Sequence, residues 1–322
     1  MKAVISGVGT YLPERVVTNH DLAKMVETSD EWIVTRTGIS ERRIAADDES
    51  TSAMGVAAAR RALEQARVTP DDVDLIITAT ATPDLTFPAT AAIIQRELGV
   101  KRGAAFDVSA ACAGFIYGLT LADSLMRHGQ ARTALVIGAE KLSCFLDWED
   151  RTTCVLFGDG AGAVVLTTDD GPASKDARGL IGHTIRTDGR HVSILYADGG
   201  PSTNGSVGQV RMTGRDVYRH AVTRMSEAVE QVCEREGVAL SDIAWFVPHQ
   251  ANLRIIEAVG ERLKIDMDKV IVTIAKHGNT SAASIPLALG QALEEGRIKR
   301  GDLLCFASLG GGISWGASLL RF

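Results

Sequence analysis

A chain of 322 residues with 45% hydrophobic and 23% charged residues, 32 glycines and 8 prolines has the composition of a globular protein, which excludes long disorder and fibrous repeats. Cores normally divide beyond about 250 to 300 residues, so two lobes or one fold built twice are expected. The 34 Lys and Arg against 40 Asp and Glu leave a net charge of −6, which argues against a broad polyanion-binding face and a nucleic-acid partner.

The opening stretch from Met1 to Gly9 carries one lysine and a short apolar run, too little for a signal peptide or a membrane span, and a cytoplasmic address without a membrane is expected. Ala3 to Ser6 reads as a strand, followed by a polar segment to Asp48. Ser50, Thr51 and Ser52 are candidate caps for a helix ending near Arg67. Val73 to Thr80 reads as a strand, Pro88 to about Leu98 as a helix, Ala104 to Val108 as a strand, Cys112 to Arg127 as a helix closed by Gly129, and Ala134 to Gly138 as a strand. This βαβ alternation predicts an α/β fold with a largely parallel sheet covered on both faces.

Thr168 to Gly214 is rich in Gly, Ser, Thr and Asp and broken by Pro172 and Pro201, the pattern of a linker or a substrate-covering excursion. The alternation then resumes: helix Asp216 to Glu236, strand Ile243 to Val247, helix Leu253 to Leu263, strand Val270 to Ile274, helix Thr280 to Glu295, and strands Leu303 to Ala307 and Ser314 to Leu320. Asp72-Val73-Asp74-Leu75 aligns with Asp242-Ile243-Ala244-Trp245 at an offset of 170, and Leu135-Val136-Ile137 with Leu303-Leu304-Cys305 at 168. The near-constant offset suggests an internal duplication, with halves at 1–170 and 171–322, the second opening on the excursion of about 171–214.

The five cysteines, Cys112, Cys144, Cys154, Cys233 and Cys305, include no C-x-x-C pair and none three or four residues from a histidine, so neither a metal site nor a disulfide framework is expected. Cys112 lies among very small residues in Ser109-Ala110-Ala111-Cys112-Ala113-Gly114-Phe115, at a strand-to-helix junction. A helix N-terminus favours thiolate over thiol, although a small buried cysteine filling a helix–sheet contact explains the same residue. Val247-Pro248-His249-Gln250-Ala251-Asn252 and Lys276-His277-Gly278-Asn279-Thr280-Ser281 would bring imidazole and amide groups to the same carboxyl edge of the strands. Cys with His and Asn serves covalent catalysis, leaving proteolysis and acyl transfer both open. Phe157-Gly158-Asp159-Gly160-Ala161-Gly162 fails the dinucleotide-loop context, because the following Ala163 to Thr167 reads as a strand rather than a helix.

These segments, Ala-Ala-Cys-Ala-Gly-Phe at Cys112, His-Gln-Ala-Asn-Leu-Arg at His249, His-Gly-Asn-Thr-Ser-Ala-Ala-Ser at His277 and Gly-Gly-Gly-Ile-Ser-Trp-Gly at Gly310, together resemble the β-ketoacyl-acyl-carrier-protein synthase III family over essentially the whole chain. The resemblance implies a thiolase-like fold, two duplicated βαβαβ halves packed as a layered αβαβα core. It also implies condensation through an acyl-Cys112 intermediate, in which a short acyl-CoA, acetyl-CoA first, primes the enzyme and malonyl-acyl-carrier-protein extends it. His249 and Asn279 would stabilise the enolate, and the amides of Cys112 and Gly311 would form the oxyanion hole. Trp32, Arg36, Arg151 and Asn252 would bind CoA, which is a substrate, so that no cofactor is implied. Phe87, Leu142, Phe157 and Leu309 would shape the acyl pocket, with Phe87 reaching across a homodimer. Leu309 departs from the aromatic residue often found before the glycine run. Acyl carrier protein is the implied protein partner, and Arg215, Arg219 and Arg254 would supply its basic patch. The competing readings are a related synthase of secondary metabolism with another primer or extender, a non-catalytic carrier-protein-binding subunit and a cysteine protease.

Overall fold

The computed structural model describes residues 2–169, 171 and 177–322. The first part runs through β1 (Lys2–Tyr11), a ribbon of β2 (Val16–Thr18) and β3 (Glu41–Arg43) that encloses α1 (Asn19–Leu22) and α2 (Asp30–Thr37), then α3 (Thr51–Ala66), β4 (Leu75–Ala79), α4 (Thr90–Leu98), β5 (Ala104–Val108), α5 (Gly114–Arg127), β6 (Thr133–Glu140) and β7 (Gly160–Asp169). The second runs through β8 (Gly179–Thr187), a ribbon of β9 (Leu195–Ala197) and β10 (Val210–Met212), α6 (Gly214–Glu236), β11 (Trp245–Pro248), α7 (Leu253–Leu263), α8 (Ile274–His277), α9 (Ser284–Glu294), β12 (Leu303–Gly310) and β13 (Ser314–Arg321). The expected division at 170/171 and the start of the excursion touch Asp170 and residues 172–176, which lie outside the described residues.

The strands form one sheet in the order β1-β7-β6-β4-β5 and another in the order β8-β13-β12-β11, with Val270 bridging to Phe246 of β11 in the place that β5 holds in the first. The two orders coincide term by term. Equivalent elements keep the spacing of the sequence pattern: β6 begins at Thr133 and β12 at Leu303, and tight turns begin at Ala111 and Ser281, each pair 170 positions apart. The 168 read from Leu135 and Leu303 is corrected accordingly.

The sheets are mixed, not largely parallel. β4 pairs parallel with β5 and β6, and β11 with β12, but β7 runs antiparallel to β1 and β6, and β13 antiparallel to β12 and β8. The reason is connectivity: β12 and β13 are joined by a turn of three residues, and no crossover helix separates β6 from β7. The expected strand Val270 to Ile274 is also absent. Gln250 Oε1 accepts from the backbone N–H groups of Thr273 and Ile274 at 2.8 and 3.2 Å, ending the extended run after a single bridge and starting α8.

Alternation along the strands distributes side chains among three cores. Ile76, Leu135 and Ile137 pack with Ala58, Ala62 and Ile94 under α3 and α4. Leu75, Ile77, Val136, Leu304 and Phe306 meet Phe115, Leu119, Ile285 and Leu289 of the central helices α5 and α9. Cys305 and Ala307 face Met225, Val229 and Ile256 of α6 and α7. The result is the αβαβα layering, in which α5 and α9 start side by side at the carboxyl ends of parallel strands. Among the described residues no helix is long and apolar enough to cross a membrane.

Candidate active site

The turn carrying Cys112, Ala111–Ala113, leads directly into α5. Ala111 holds φ +45, a left-handed conformation rarely adopted by residues with a Cβ, and Ser281 at the equivalent turn before α9 holds φ +49. Beneath Cys112, Ser308 Oγ donates to its carbonyl at 2.7 Å. A Cβ at Gly310 would lie 2.6 Å from the Cys112 nitrogen, so this approach of strand to turn requires glycine. Against the thiolate that the helix terminus favours, burial pushes the Cys112 thiol up to about 12; the neighbouring Ser281 hydroxyl opposes this and the nearby Glu140 adds to it.

His249 follows β11, its N–H held by the Ala307 carbonyl at 2.8 Å. Its Nδ1 lies 2.6 Å from Ser284 Oγ, which accepts from the Gln250 N–H at 3.3 Å and so directs its own proton to the ring. That arrangement leaves the proton on Nε2, which is buried without a partner among the described residues. Burial drives the imidazole down to about 3, so it is neutral and able to donate. Asn279 is fixed by its N–H to the Leu156 carbonyl and its carbonyl to the Gly158 N–H. Its Oδ1 accepts from the Ser281 N–H at 2.9 Å, which leaves the amide nitrogen as the donor available to the cavity.

Cys112, His249 and Asn279 line one cavity of about 800 Å³. Leu142, Phe157, Leu309 and Gly311 line it too, and exposed Arg36, Arg215 and Arg254 mark its mouth beside the half-buried Trp32. The Arg36 and Arg151 guanidinium groups lie 4.5 and 5.1 Å from the Trp32 ring centroid, and Arg151 also donates to the Glu27 carbonyl at 2.9 Å. Asn252 lines the cavity with both ends of its amide engaged: Nδ2 donates to the Arg36 carbonyl and Oδ1 caps α7 at the Arg254 N–H. Arg219 is outside the lining and pairs with Asp216 at 3.1 Å. Phe87 is 83% exposed and does not line the cavity of its own chain. Among the described residues no group of three His, Cys, Asp or Glu is placed to hold a metal.

Sequence reasoning missed Glu140 and Ser308, and assigned no role to Ser281 and Ser284, which stand in the His277 motif. Glu140 is fully buried at the end of β6, where Oε2 accepts from the Ala81 N–H and Thr82 hydroxyl, both at 3.0 Å, and Oε1 from Ser281 Oγ at 2.9 Å. The available signal was its position, a carboxylate at the carboxyl end of a parallel strand. Burial raises Glu140 to about 7 despite these hydrogen bonds.

The sequence matches the family model 3-oxoacyl-[acyl-carrier-protein] synthase III over residues 106–189 and the model of its C-terminal part over residues 233–322. It is 56% identical to a β-ketoacyl-[acyl-carrier-protein] synthase III of Rhodospirillum centenum over 322 residues, all of this chain and 99% of that one. The crystal structure of 3-oxoacyl-[acyl-carrier-protein] synthase III from Aquifex aeolicus superposes with a TM-score of 0.93 at 50% identity, covering 99% of this chain and 100% of the other. The priming β-ketosynthase of the R1128 polyketide biosynthetic pathway is similar at 37% identity with a TM-score of 0.92, over 99% of this chain and 96% of that one.

Proposed function

This chain belongs to the 3-oxoacyl-[acyl-carrier-protein] synthase III family, and on that premise we propose that it catalyses the initiating condensation of dissociated fatty-acid synthesis, joining a short acyl-CoA to malonyl-acyl-carrier-protein with release of CoA and CO2. The observation that carries this reading is the meeting of Cys112 from the first half with His249 and Asn279 from the second on one cavity.

The Cys112 sulfur attacks the acyl-CoA carbonyl and the C–S bond to CoA breaks, so that the acyl group passes to the enzyme and the thiol proton ends on CoA. The amides of Cys112 and Gly311 receive the oxyanion of that step; one such donor is typically worth ~3 to 4 kcal/mol. Malonyl-acyl-carrier-protein then loses CO2, and the electron pair of the broken C–C bond becomes an enolate whose thioester oxygen accepts from His249 Nε2–H and the Asn279 amide. The enolate carbon attacks the acyl-Cys112 carbonyl, the acyl–sulfur bond breaks, and the β-ketoacyl chain leaves on the carrier protein. The neutral, Nε2-protonated state of His249 supports a donor role throughout.

CoA is substrate and no resident cofactor is invoked. The adenine inserts beside Trp32, displacing one of the two arginines now resting on it, with Asn252 shaping the channel through Arg36. Acyl carrier protein docks over Arg215 and Arg254, with Arg219 peripheral. The enzyme works in the cytoplasm as a homodimer in which exposed Phe87 enters the partner's acyl pocket, and its two halves divide at 170/171.

A second reading, a priming synthase of secondary metabolism with another primer or extender, is favoured by Leu309 in the pocket wall and by the likeness to the R1128 synthase. Intact-protein mass after incubation with acetyl-CoA and longer or branched acyl-CoAs tests both readings, with Cys112→Ala as control and malonyl carrier protein or malonyl-CoA as chase. The first predicts a Cys112-dependent acetyl adduct discharged by the carrier-protein chase. An adduct formed only from another primer, or discharged only by malonyl-CoA, establishes the second.

A further inference from the structure

Arg42 of β3 is fully buried, and among the described residues none of its hydrogen bonds goes to a carboxylate. Nη2 donates to the Val155 carbonyl at 2.7 Å, and Nη1 donates to Asn19 Oδ1 at 2.8 Å and to the Val17 carbonyl at 3.1 Å. Burial pulls the guanidinium down to about 10, which still leaves it charged at neutral pH. An apolar side chain would fill the same space without the cost of burying a cation, so filling alone does not explain an arginine.

The chain that accepts from Nη2 is also the chain that fixes Asn279. One residue after Val155, the Leu156 carbonyl accepts from the Asn279 N–H at 2.9 Å, and the Gly158 N–H donates to the Asn279 carbonyl at 3.0 Å. The Arg42 stem lies against both sides of this contact: a Cβ at Gly158 or at Gly278 would be 3.1 Å from Arg42 Cβ. Gly278, directly before Asn279, holds φ +64 and ψ −165, a region essentially reserved for glycine. On its other side the guanidinium leans on Asn19, whose Nδ2 donates to the Ile39 carbonyl at 2.7 Å and to Asp30 Oδ1 at 2.8 Å, at the start of α2.

We propose that Arg42 is a positioning residue for the decarboxylation half-reaction, holding residues 155–158 and, through them, the Asn279 amide where the enolate oxygen forms. The inference rests on the condensing function proposed above. Arg42 contributes orientation only, and no proton or bond changes at it. The Asn279 side chain is tied by the Ser281 N–H to its Oδ1, two residues along the same chain, so the aim of its amide follows the backbone that 155–158 pin. A hydrogen-bond donor to a developing oxyanion works within narrow tolerances of distance and angle. Cys112 is held separately, by Ser308 and the close approach of Gly310 on β12, and keeps its place when 155–158 shift.

The experiment measures decarboxylation of malonyl carrier protein and, separately, single-turnover acetylation of Cys112 at saturating acetyl-CoA. The proteins compared are wild type, Arg42→Met, Arg42→Lys, Asn279→Ala and the Arg42→Met/Asn279→Ala double variant. Arg42→Met is expected to slow decarboxylation at least tenfold while acetylation changes less than threefold. Arg42→Lys keeps the charge and the stem but lacks the fork that spans Val155 and Asn19, and should slow decarboxylation at least threefold. It carries the test where Arg42→Met does not fold. In the Asn279→Ala background the Arg42 substitution should cost less than threefold more, because its effect passes through an amide already removed. Unchanged decarboxylation in the single variants overturns the proposal, as do parallel loss of both half-reactions and a full further tenfold loss in the double variant. Absence of decarboxylation by the wild-type protein overturns the underlying function instead.

Discussion

Ser308 donates to the Cys112 carbonyl at 2.7 Å, and its counterpart 170 positions earlier, Gly138, lies where a Cβ would be 2.2 Å from the carbonyl of Ala282, the counterpart of Cys112. The contact between strand and turn is thus made twice, crosswise, once by a hydroxyl under the cysteine and once by bare backbone under an alanine. Only one copy carries a thiol.

That contact is tight, which makes Gly310 a sensitive position. Gly310→Ala would set a methyl group 2.6 Å from the Cys112 nitrogen and 2.9 Å from the Ala110 carbonyl, so the turn must shift. Acetylation of Cys112 is expected to fall more than tenfold by intact-protein mass. Ser308→Ala, which strips a buried carbonyl of its donor, should lower stability by about 1 to 3 kcal/mol in denaturant titration.

The two half-reactions should separate. Asn279→Ala is expected to acetylate at Cys112 but to lose malonyl decarboxylation by about 100-fold, the effect of removing one oxyanion donor. Normal condensation by this variant would remove Asn279 from the mechanism. His249, depressed from 6.5 to about 3 by burial, stays neutral above that range, so wild-type decarboxylation should show no histidine inflection between pH 5 and 8.

Stability should depend on pH through Glu140. Its folded value near 7 exceeds the ordinary 4.5, so the folded state binds the proton more tightly, and the resulting stabilisation is full below 4.5 and lost as pH rises through 7. Glu140→Gln carries no such charge. It should exceed wild type by up to about 3 kcal/mol at pH 8 relative to the difference at pH 4, measured as denaturant midpoints at both pH values.

Trp32, beneath both Arg36 and Arg151, is the proposed stacking surface for CoA at the cavity mouth. Trp32→Ala should raise the KM for acetyl-CoA about tenfold with little change in kcat, because stacking on a distant base is worth about 1 to 3 kcal/mol and is the same in ground and transition states. A fall in kcat alone would contradict this placement.

Arg254, exposed at the same mouth, should act on the other substrate. Arg254→Glu is expected to raise the KM for malonyl carrier protein severalfold and flatten its salt dependence while acetylation by acetyl-CoA is unaffected. Unchanged carrier-protein kinetics would place the docking surface elsewhere.

Periodicity and capping made much of the architecture legible. β5 (Ala104–Val108) and α7 (Leu253–Leu263) fall on the residues expected, and Ser50 caps α3 by accepting from the Ala53 N–H. The run Val270 to Ile274 misled because its apolar residues suit a strand, while the feature that turns it is the side chain of Gln250 across the fold. The polar segment before Asp48 concealed α2, whose mean composition is unremarkable, and the excursion concealed β8. Cys112, His249 and Asn279 were readable because each sits in a motif. Glu140 was not, since its importance arises from Ala81, Thr82 and Ser281 gathering around it, and the ionisation of Cys112 depends on burial rather than on neighbours in sequence.

The twofold repetition of the sheets also has a mechanical meaning. Cys112 lies in the first part of the chain and His249 and Asn279 in the second, and the turns that lead into α5 and α9 touch where the two sheets pack on one shared core. The working distance between sulfur and donors is therefore the width of a seam, set by how two sheets register across the helices they share. Ligands or substitutions that wedge the sheets apart can silence the enzyme while leaving every reacting group intact.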